Sequence, residues 1–270
     1  MISTEFFVRT FPHIVLISII YGCGVSIFND TLKISRKNLI TQNDQESWIT
    51  RTCNMWNLVM CIFSGIGFYN TFPLLFLQKS NEHHLFLLLY VLSKPLEFID
   101  TFFLIQKLKI VGTLHWTHHA ITMLYVWLIA ANNSSVPFNL YVMFCVLNYF
   151  VHTLMYGYYF LTDCVKLPKW VSVCVTMFQL TQFVCGILWT FIWRNETPRY
   201  IFIITCGMYS YYFFLFSKLF IFKYMTVIRC TFCKIKMIKE IKCKKCQQIC
   251  CISCQNSQTC ELCQIAESEY

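Results

Sequence analysis

Residues 114–131 read LHWTHHAITMLYVWLIAA, eighteen consecutive positions without an Asp, Glu, Lys or Arg. A helix of that length rises about 27 Å at 1.5 Å per residue, close to the hydrocarbon thickness of a bilayer. Moving outward from it, runs of comparable apolarity cover residues 11–28, 55–77, 84–106, 138–161, 169–193 and 200–222. Whole-chain composition agrees: of 270 residues, 57% are hydrophobic, 18% aromatic and only 13% charged. A soluble domain carries about 25% charged residues, so a mostly water-facing surface is excluded. Disorder is excluded by the same hydrophobicity. The fold class expected is an all-α integral membrane protein, a seven-transmembrane-helix bundle. The first run lacks a strongly basic start and a small-residue cleavage site, and is expected to be the first span rather than a removed signal peptide.

The formal charge is +9, from 22 Lys and Arg against 13 Asp and Glu. These basic residues do not form one face of a soluble nucleic-acid-binding domain; they lie between the apolar runs, where they report orientation. With the N-terminus outside the cytosol, sixteen fall on the cytosolic side and four, Arg9, Lys79, Arg194 and Arg199, on the other. The C-terminus is then cytosolic, and the Asn-x-Ser sequons at Asn132 and Asn133 fall in a short lumenal loop. The chain shows no internal repeat. Residues 1–222 are expected to be one transmembrane domain and 223–270 a basic, Cys-rich cytosolic tail.

Polar residues inside apolar runs are costly in a bilayer and usually face the bundle interior. The third run contains Lys94-Pro-Leu-Glu97-Phe-Ile-Asp100-Thr101, where helical spacing puts Lys94, Glu97 and Thr101 on one face with Asp100 beside them. Pro95 is expected to kink this span and free backbone carbonyls. The fourth run opens on His115, His118 and His119, three imidazoles on one helical turn. In the fifth, Asn148, His152, Tyr156 and Tyr159 form a polar stripe, and in the sixth Thr176, Gln179 and Gln182 recur at steps of three. Four consecutive spans each direct a polar stripe inward, toward a shared interior. A self-neutralising Lys–Glu–Asp network, or interhelical hydrogen bonding by Thr and Tyr, is the purely structural alternative.

Two chemistries suit clustered histidines. Imidazoles at i, i+3 and i+4 have metal-ligand spacing, although the body holds fewer histidines than the three boxes of membrane di-iron desaturases and hydroxylases. Imidazole is also a nucleophile and a proton carrier near neutral pH, and Asn148 is placed to orient His152 or donate to an oxyanion. The eight cysteines of the body are scattered singly, and no Gly-x-Ser-x-Gly elbow occurs. A seven-helix retinal protein, with Lys218 as Schiff base and Asp100 as counter-ion, is a non-enzymatic competitor. Lys218, however, lies near the cytosolic end of its span, where a long side chain snorkels to the interface.

Taken together, these motifs resemble the ELO family of very-long-chain fatty-acid elongases. The charged motif is Lys94 to Thr101, the histidine box His115 to His119, the Asn-x-x-x-His-x-x-Met-Tyr-x-Tyr-Tyr signature Asn148 to Tyr159, and the Thr-x-x-Gln-x-x-Gln element Thr176 to Gln182. The resemblance covers about residues 10–225 and implies a seven-helix barrel in the endoplasmic reticulum membrane around an acyl tunnel. It implies condensation of a long-chain acyl-CoA with malonyl-CoA to 3-oxoacyl-CoA, CoA and carbon dioxide, the first step of the elongation cycle. Partners implied are the two CoA thioesters, the lipid bilayer and the ketoacyl reductase, dehydratase and enoyl reductase of the cycle, with no nucleic acid. No catalytic cofactor or core metal is expected; the competing reading is a metal-dependent membrane oxidoreductase acting on fatty acyl chains. On the elongase reading His118 attacks the acyl thioester, and His152, His115, His119 and Asn148 complete the catalytic set. Lys94, Glu97, Asp100, Tyr156, Gln179 and Gln182 are then expected to bind or position substrate.

The tail departs from the family pattern. Residues 230–263 hold nine of the seventeen cysteines, with four Cys-x-x-Cys pairs. On a reducing side of the membrane such pairs suit tetrahedral zinc better than disulfides. Cys243, Cys246, Cys260 and Cys263 have the spacing of one structural site; S-acylation of a disordered basic tail is the alternative.

Overall fold

The computed structural model describes residues 4–35, 45–76 and 85–225, with backbone pairing at 228–229 and 236–237. The candidate zinc set Cys243, Cys246, Cys260 and Cys263 and the loop residues Lys79, His83 and His84 lie outside the described residues. Eight α-helices form among those described: α1 (Thr4–Ser35), α2 (Gln45–Thr71), α3 (Leu85–Ser93), α4 (Phe98–Gln106), α5 (Thr113–Ala131), α6 (Phe138–Cys164), α7 (Lys169–Ile192) and α8 (Arg199–Phe220). Five stretches are long and apolar enough to cross a membrane: Thr4–Leu32, Trp48–Phe76, Phe138–Cys164, Lys169–Ile192 and Arg199–Met225. The protein is therefore a multi-pass membrane protein whose described residues through Met225 are helical apart from short connections. The other two expected spans differ for physical reasons. α5 has 19 residues, but its three imidazoles dilute its apolarity, and the run at 84–106 is divided into α3 and α4 of nine residues each.

Pro95 explains the division. A continuous helix would require a Pro95 N–H to bond the Val91 carbonyl, and proline has none. That carbonyl instead accepts from Lys94 N at 3.2 Å, and i to i+3 bonds from Glu97, Phe98, Ile99 and Asp100 carry the chain through tight turns into α4. α4 closes with paired bonds from Leu108 N to Ile105 O and from Lys109 N to Leu104 O, both 2.9 Å. This is a Schellman cap. Its left-handed position is filled by Leu108, at φ 49°, where glycine is usual. The next segment is held by Asn29 of α1, whose amide donates to Val111 O and accepts from Val111 N, each at 2.9 Å. α5 therefore starts at a fixed height against α1.

Among the five spanning stretches α6 is the most enclosed, with half of its most apolar window buried against 17–33% for the other four. It packs on α2 and α7, while α1 packs on α5. Two tyrosine rings set the closest approaches. Tyr149 of α6 lies flat over Gly67 of α2, and Tyr209 of α8 over Gly186 of α7, so that a Cβ at either glycine would run into the ring. α5 is tied to α8 by Thr122 to Tyr212 and by Tyr125 to Thr205, both 2.8 Å between hydroxyl oxygens. The core enclosed is aromatic, with Tyr90, Tyr125, Phe144, Tyr149, Tyr209 and Tyr212 all buried. The helices through Ser217 form one compact unit, and Lys218–Tyr270 form a second. Within the second, β1 (Ile228–Arg229) pairs antiparallel with β2 (Lys236–Met237).

Candidate active site

The turns forced by Pro95 place Lys94 and Glu97 in the interior, each 2% exposed. Lys94 Nζ donates to Glu97 Oε1 at 2.6 Å and to Asn148 Oδ1 of α6 at 3.0 Å, and stands 4.2 Å from the centroid of the Tyr90 ring. The ammonium is thus paired, hydrogen-bonded and capped by an aromatic face, which is what an interior charge needs. Glu97 is the hub on the other side. His119 Nδ1 of α5 lies 3.6 Å from Oε2 and His152 Nδ1 of α6 lies 3.7 Å from Oε1. One carboxylate thereby gathers a cation and two imidazoles from three separate segments.

The three imidazoles of α5 share an arc but divide their partners. His115 Nε2 is 2.9 Å from Thr101 Oγ1 of α4. His119, one turn later, faces Glu97, and the His115 and His119 rings are 4.5 Å apart. His118 turns the other way, toward α8, with its ring 4.7 Å from Tyr212 and 6.4 Å from Phe216. Its Nδ1 is buried with no hydrogen-bond partner among the described residues, so packing rather than the ion pair orients this ring. Among the described residues no group of three His, Cys, Asp or Glu side chains has the arrangement of a metal site.

Asp100 stands apart from the Lys94–Glu97 pair, where the charge pattern alone grouped the three. Its carboxylate accepts from Trp56 Nε1 of α2 at 2.6 Å and from Tyr156 OH of α6 at 2.5 Å. The α6 stripe is buried from Asn148 through His152 to Tyr156, then ends, since Tyr159 is 44% exposed. On α7, Gln182 and Thr176 are buried. No described hydrogen bond joins Gln179 or Gln182 to the ionic cluster; α7 packs on α6 and, through Phe183, on Tyr212 and Phe216 of α8. Sequence spacing did not single out Tyr90, Trp56, Tyr21 or Tyr212. All four sit among apolar residues at unremarkable intervals, and only the packing brings the ring face of Tyr90 and the polar edges of the other three to the site.

A membrane-embedded helical protein with a buried ammonium–carboxylate pair ringed by imidazoles is the class that fold and site define. More narrowly, the chain belongs to the ELO family, described as the GNS1/SUR4 family, whose model matches residues 6–229. Among curated relatives, it is 30% identical over 166 residues to "Long chain fatty acid elongase 1" of Caenorhabditis elegans, covering 54% of this chain and 56% of the relative. It is 31% identical over 195 residues to "Very long chain fatty acid elongase 4" of Trypanosoma cruzi (strain CL Brener), covering 62% and 67%. To "Very long chain fatty acid elongase 3" of Mus musculus it is 26% identical over 232 residues, covering 80% and 82%. The alignment to the first of these spans little more than half of that relative's length. No solved structure gives a significant match to the chain.

Proposed function

We propose that this protein is a fatty-acid elongase of the endoplasmic reticulum membrane that condenses a long-chain acyl-CoA with malonyl-CoA, giving 3-oxoacyl-CoA, CoA and carbon dioxide. The observation that carries the reading is the convergence of His119 and His152, from two different helices, on the Glu97 carboxylate beside Lys94, in a chain whose family relatives are named elongases. Residues 1–222 are the catalytic domain, seven spans around an acyl tunnel, and residues 223–270 a cytosolic tail. The N-terminus is lumenal, so the histidine box opens toward the cytosol, where water-soluble CoA thioesters arrive.

Catalysis is ping-pong. An unprotonated nitrogen of His118 attacks the thioester carbonyl; the C–S bond breaks, CoA leaves as the thiolate, and the ring proton is lost to give a neutral acyl-imidazole. Malonyl-CoA then loses carbon dioxide, and the resulting enolate carbon attacks the acyl carbon, forming the C–C bond and breaking the C–N bond; the leaving imidazolide takes back a proton, equal to the one lost on acylation, and His118 is restored. His152 and His119, whose Nδ1 atoms face the Glu97 carboxylate at 3.7 and 3.6 Å, keep their Nε2 atoms for proton transfer and for the developing oxyanion. Asn148 and Lys94 hold Glu97 and His152 in register, and Asp100 fixes Tyr156. Gln179 and Gln182 line the substrate path from α7. The reductase, dehydratase and enoyl reductase that complete a cycle act on the released product.

Mass spectrometry of purified protein incubated with acyl-CoA alone tests the nucleophile. Wild type gains the acyl mass and releases CoA; His118→Ala does neither. An acyl adduct on His118→Ala moves the nucleophile elsewhere, and product formed only when both substrates are present, with no adduct, replaces ping-pong by a single ternary step. His152→Ala is expected to lower turnover by about 10²–10⁴-fold with the acyl adduct still forming.

A further inference from the structure

We propose that Tyr21 of α1 is a positioning residue that sets the tautomer of His115, acting through Thr101. Tyr21 lies in the first span, 80 residues from Thr101, and its hydroxyl oxygen is 2.7 Å from Thr101 Oγ1. Thr101 Oγ1 is in turn 2.9 Å from His115 Nε2. The three groups make one chain from α1 through α4 to α5.

The direction of this chain follows from counting protons. Each hydroxyl has a single proton to donate. If Tyr21 donates to Thr101, the Thr101 proton is directed at His115 Nε2, which must then be the unprotonated nitrogen, with the ring proton on Nδ1. In this order the phenol, the more acidic of the two hydroxyls, donates and the aliphatic hydroxyl of Thr101 accepts. In the opposite order His115 Nε2–H donates to Thr101 and Thr101 donates to Tyr21, leaving the phenolic proton of a part-buried residue with no described partner. A phenol is a stronger donor and a weaker acceptor than an aliphatic alcohol, and the second order asks the phenolic oxygen to accept while its own proton goes unused, so the first order is favoured.

The phenol is held for this task. Its ring stacks on Phe98 at 4.1 Å between centroids and 1° between planes, and Phe98 in turn presents its ring to His119 at 6.5 Å and 85°. Tyr21 therefore reaches two of the three box histidines, one through a hydrogen bond and one through ring packing. With Nε2 occupied as an acceptor, His115 is not the acylated nitrogen. It carries its proton on Nδ1, in a ring 4.5 Å from that of His119.

The consequence for turnover rests on the elongase reading; the tautomer assignment does not. Diethyl pyrocarbonate acylates the unprotonated ring nitrogen, and peptide mass spectrometry of the solubilised full chain reads the rate at each of the seven histidines. Tyr21→Phe keeps the stacked ring and removes only the hydroxyl. It is expected to raise the rate at His115 about fivefold, the equivalent of one net hydrogen bond, with the other six within about twofold. Thr101→Val gives an equal or larger rise, the double variant reacts no faster than Thr101→Val alone, and Thr101→Ser retains the wild-type rate. An unchanged His115 rate in Tyr21→Phe overturns the proposal, as does a Tyr21→Phe increment that persists in the Thr101→Val background. Should Tyr21→Phe lose helicity by circular dichroism, the Thr101→Val and Thr101→Ser pair decides alone: equal His115 rates overturn the proposal. In the elongation assay Tyr21→Phe is expected to lower kcat with KM for acyl-CoA unchanged. A wild-type protein that elongates no acyl-CoA removes the elongase reading and leaves the histidine labelling to judge the relay.

Discussion

Lys94 and Glu97 are each 2% exposed and 2.6 Å apart, so each is tolerable only because of the other. Removing one partner of a buried pair strands a charge and costs about 3–5 kcal/mol, whereas replacing both by apolar groups of similar volume is often neutral or stabilising. Lys94→Met is therefore expected to lower the thermal midpoint of the detergent-solubilised protein steeply, and Lys94→Met/Glu97→Leu to recover most of that loss. Activity should separate from stability, because the double variant also removes the carboxylate that faces His119 and His152. A double variant that is stable and fully active would show that the pair only locks helices together. Differential scanning fluorimetry beside an elongation assay distinguishes the outcomes.

One turn of α4 shows how far an element follows from its own sequence. Leu108 sits at φ 49° in the Schellman cap, a conformation that costs a side-chain-bearing residue about 1–2 kcal/mol. Being 42% exposed, Leu108 has little packing to lose. Leu108→Gly is therefore expected to raise stability by about 1 kcal/mol, read as a higher thermal midpoint; a lower midpoint would mean that the leucine side chain outweighs the strain. No residue pattern announces this cap, because the glycine that normally marks it is absent. The Pro95 break was legible, since a proline inside an apolar run forces it, yet its extent, two nine-residue helices joined by successive tight turns, was not. The site divides in the same way. Lys94, Glu97, His119, His152 and Asn148 were legible because polar residues at helical spacing in a bilayer have to meet something. Which carboxylate meets which imidazole was not: Asp100 has the spacing to join the pair but turns to Trp56 and Tyr156. Tyr21 and Tyr90 left no trace, because a single tyrosine in an apolar helix looks the same whether it faces lipid or a histidine.

For the whole molecule the deciding quantity is the placement of charge. Apart from Lys94 and Lys218, the 22 Lys and Arg lie at or beyond the ends of the apolar runs of the sequence, and on a seven-span reading these twenty divide sixteen to four across alternate loops and the tail. Short basic loops are retained on the cytosolic side during insertion, so on that reading the imbalance is expected to orient every helix at once and with it the site. Near one end of α5 lie His115, His118 and His119; toward the other lie Tyr125 and Ile129, which line a small apolar cavity with Leu140 and Phe144 of α6. If the N-terminus is lumenal, CoA esters approach the imidazole end from the cytosol and the acyl chain extends toward that apolar end. If it is cytosolic, soluble thioesters would have to cross the bilayer to reach the histidines. Protease added to sealed microsomes is therefore expected to remove a C-terminal epitope and to spare an N-terminal one until detergent is present. The reverse pattern would place the histidine box on the lumenal side, and no supply of cytosolic CoA substrate would then be compatible with the proposed reaction.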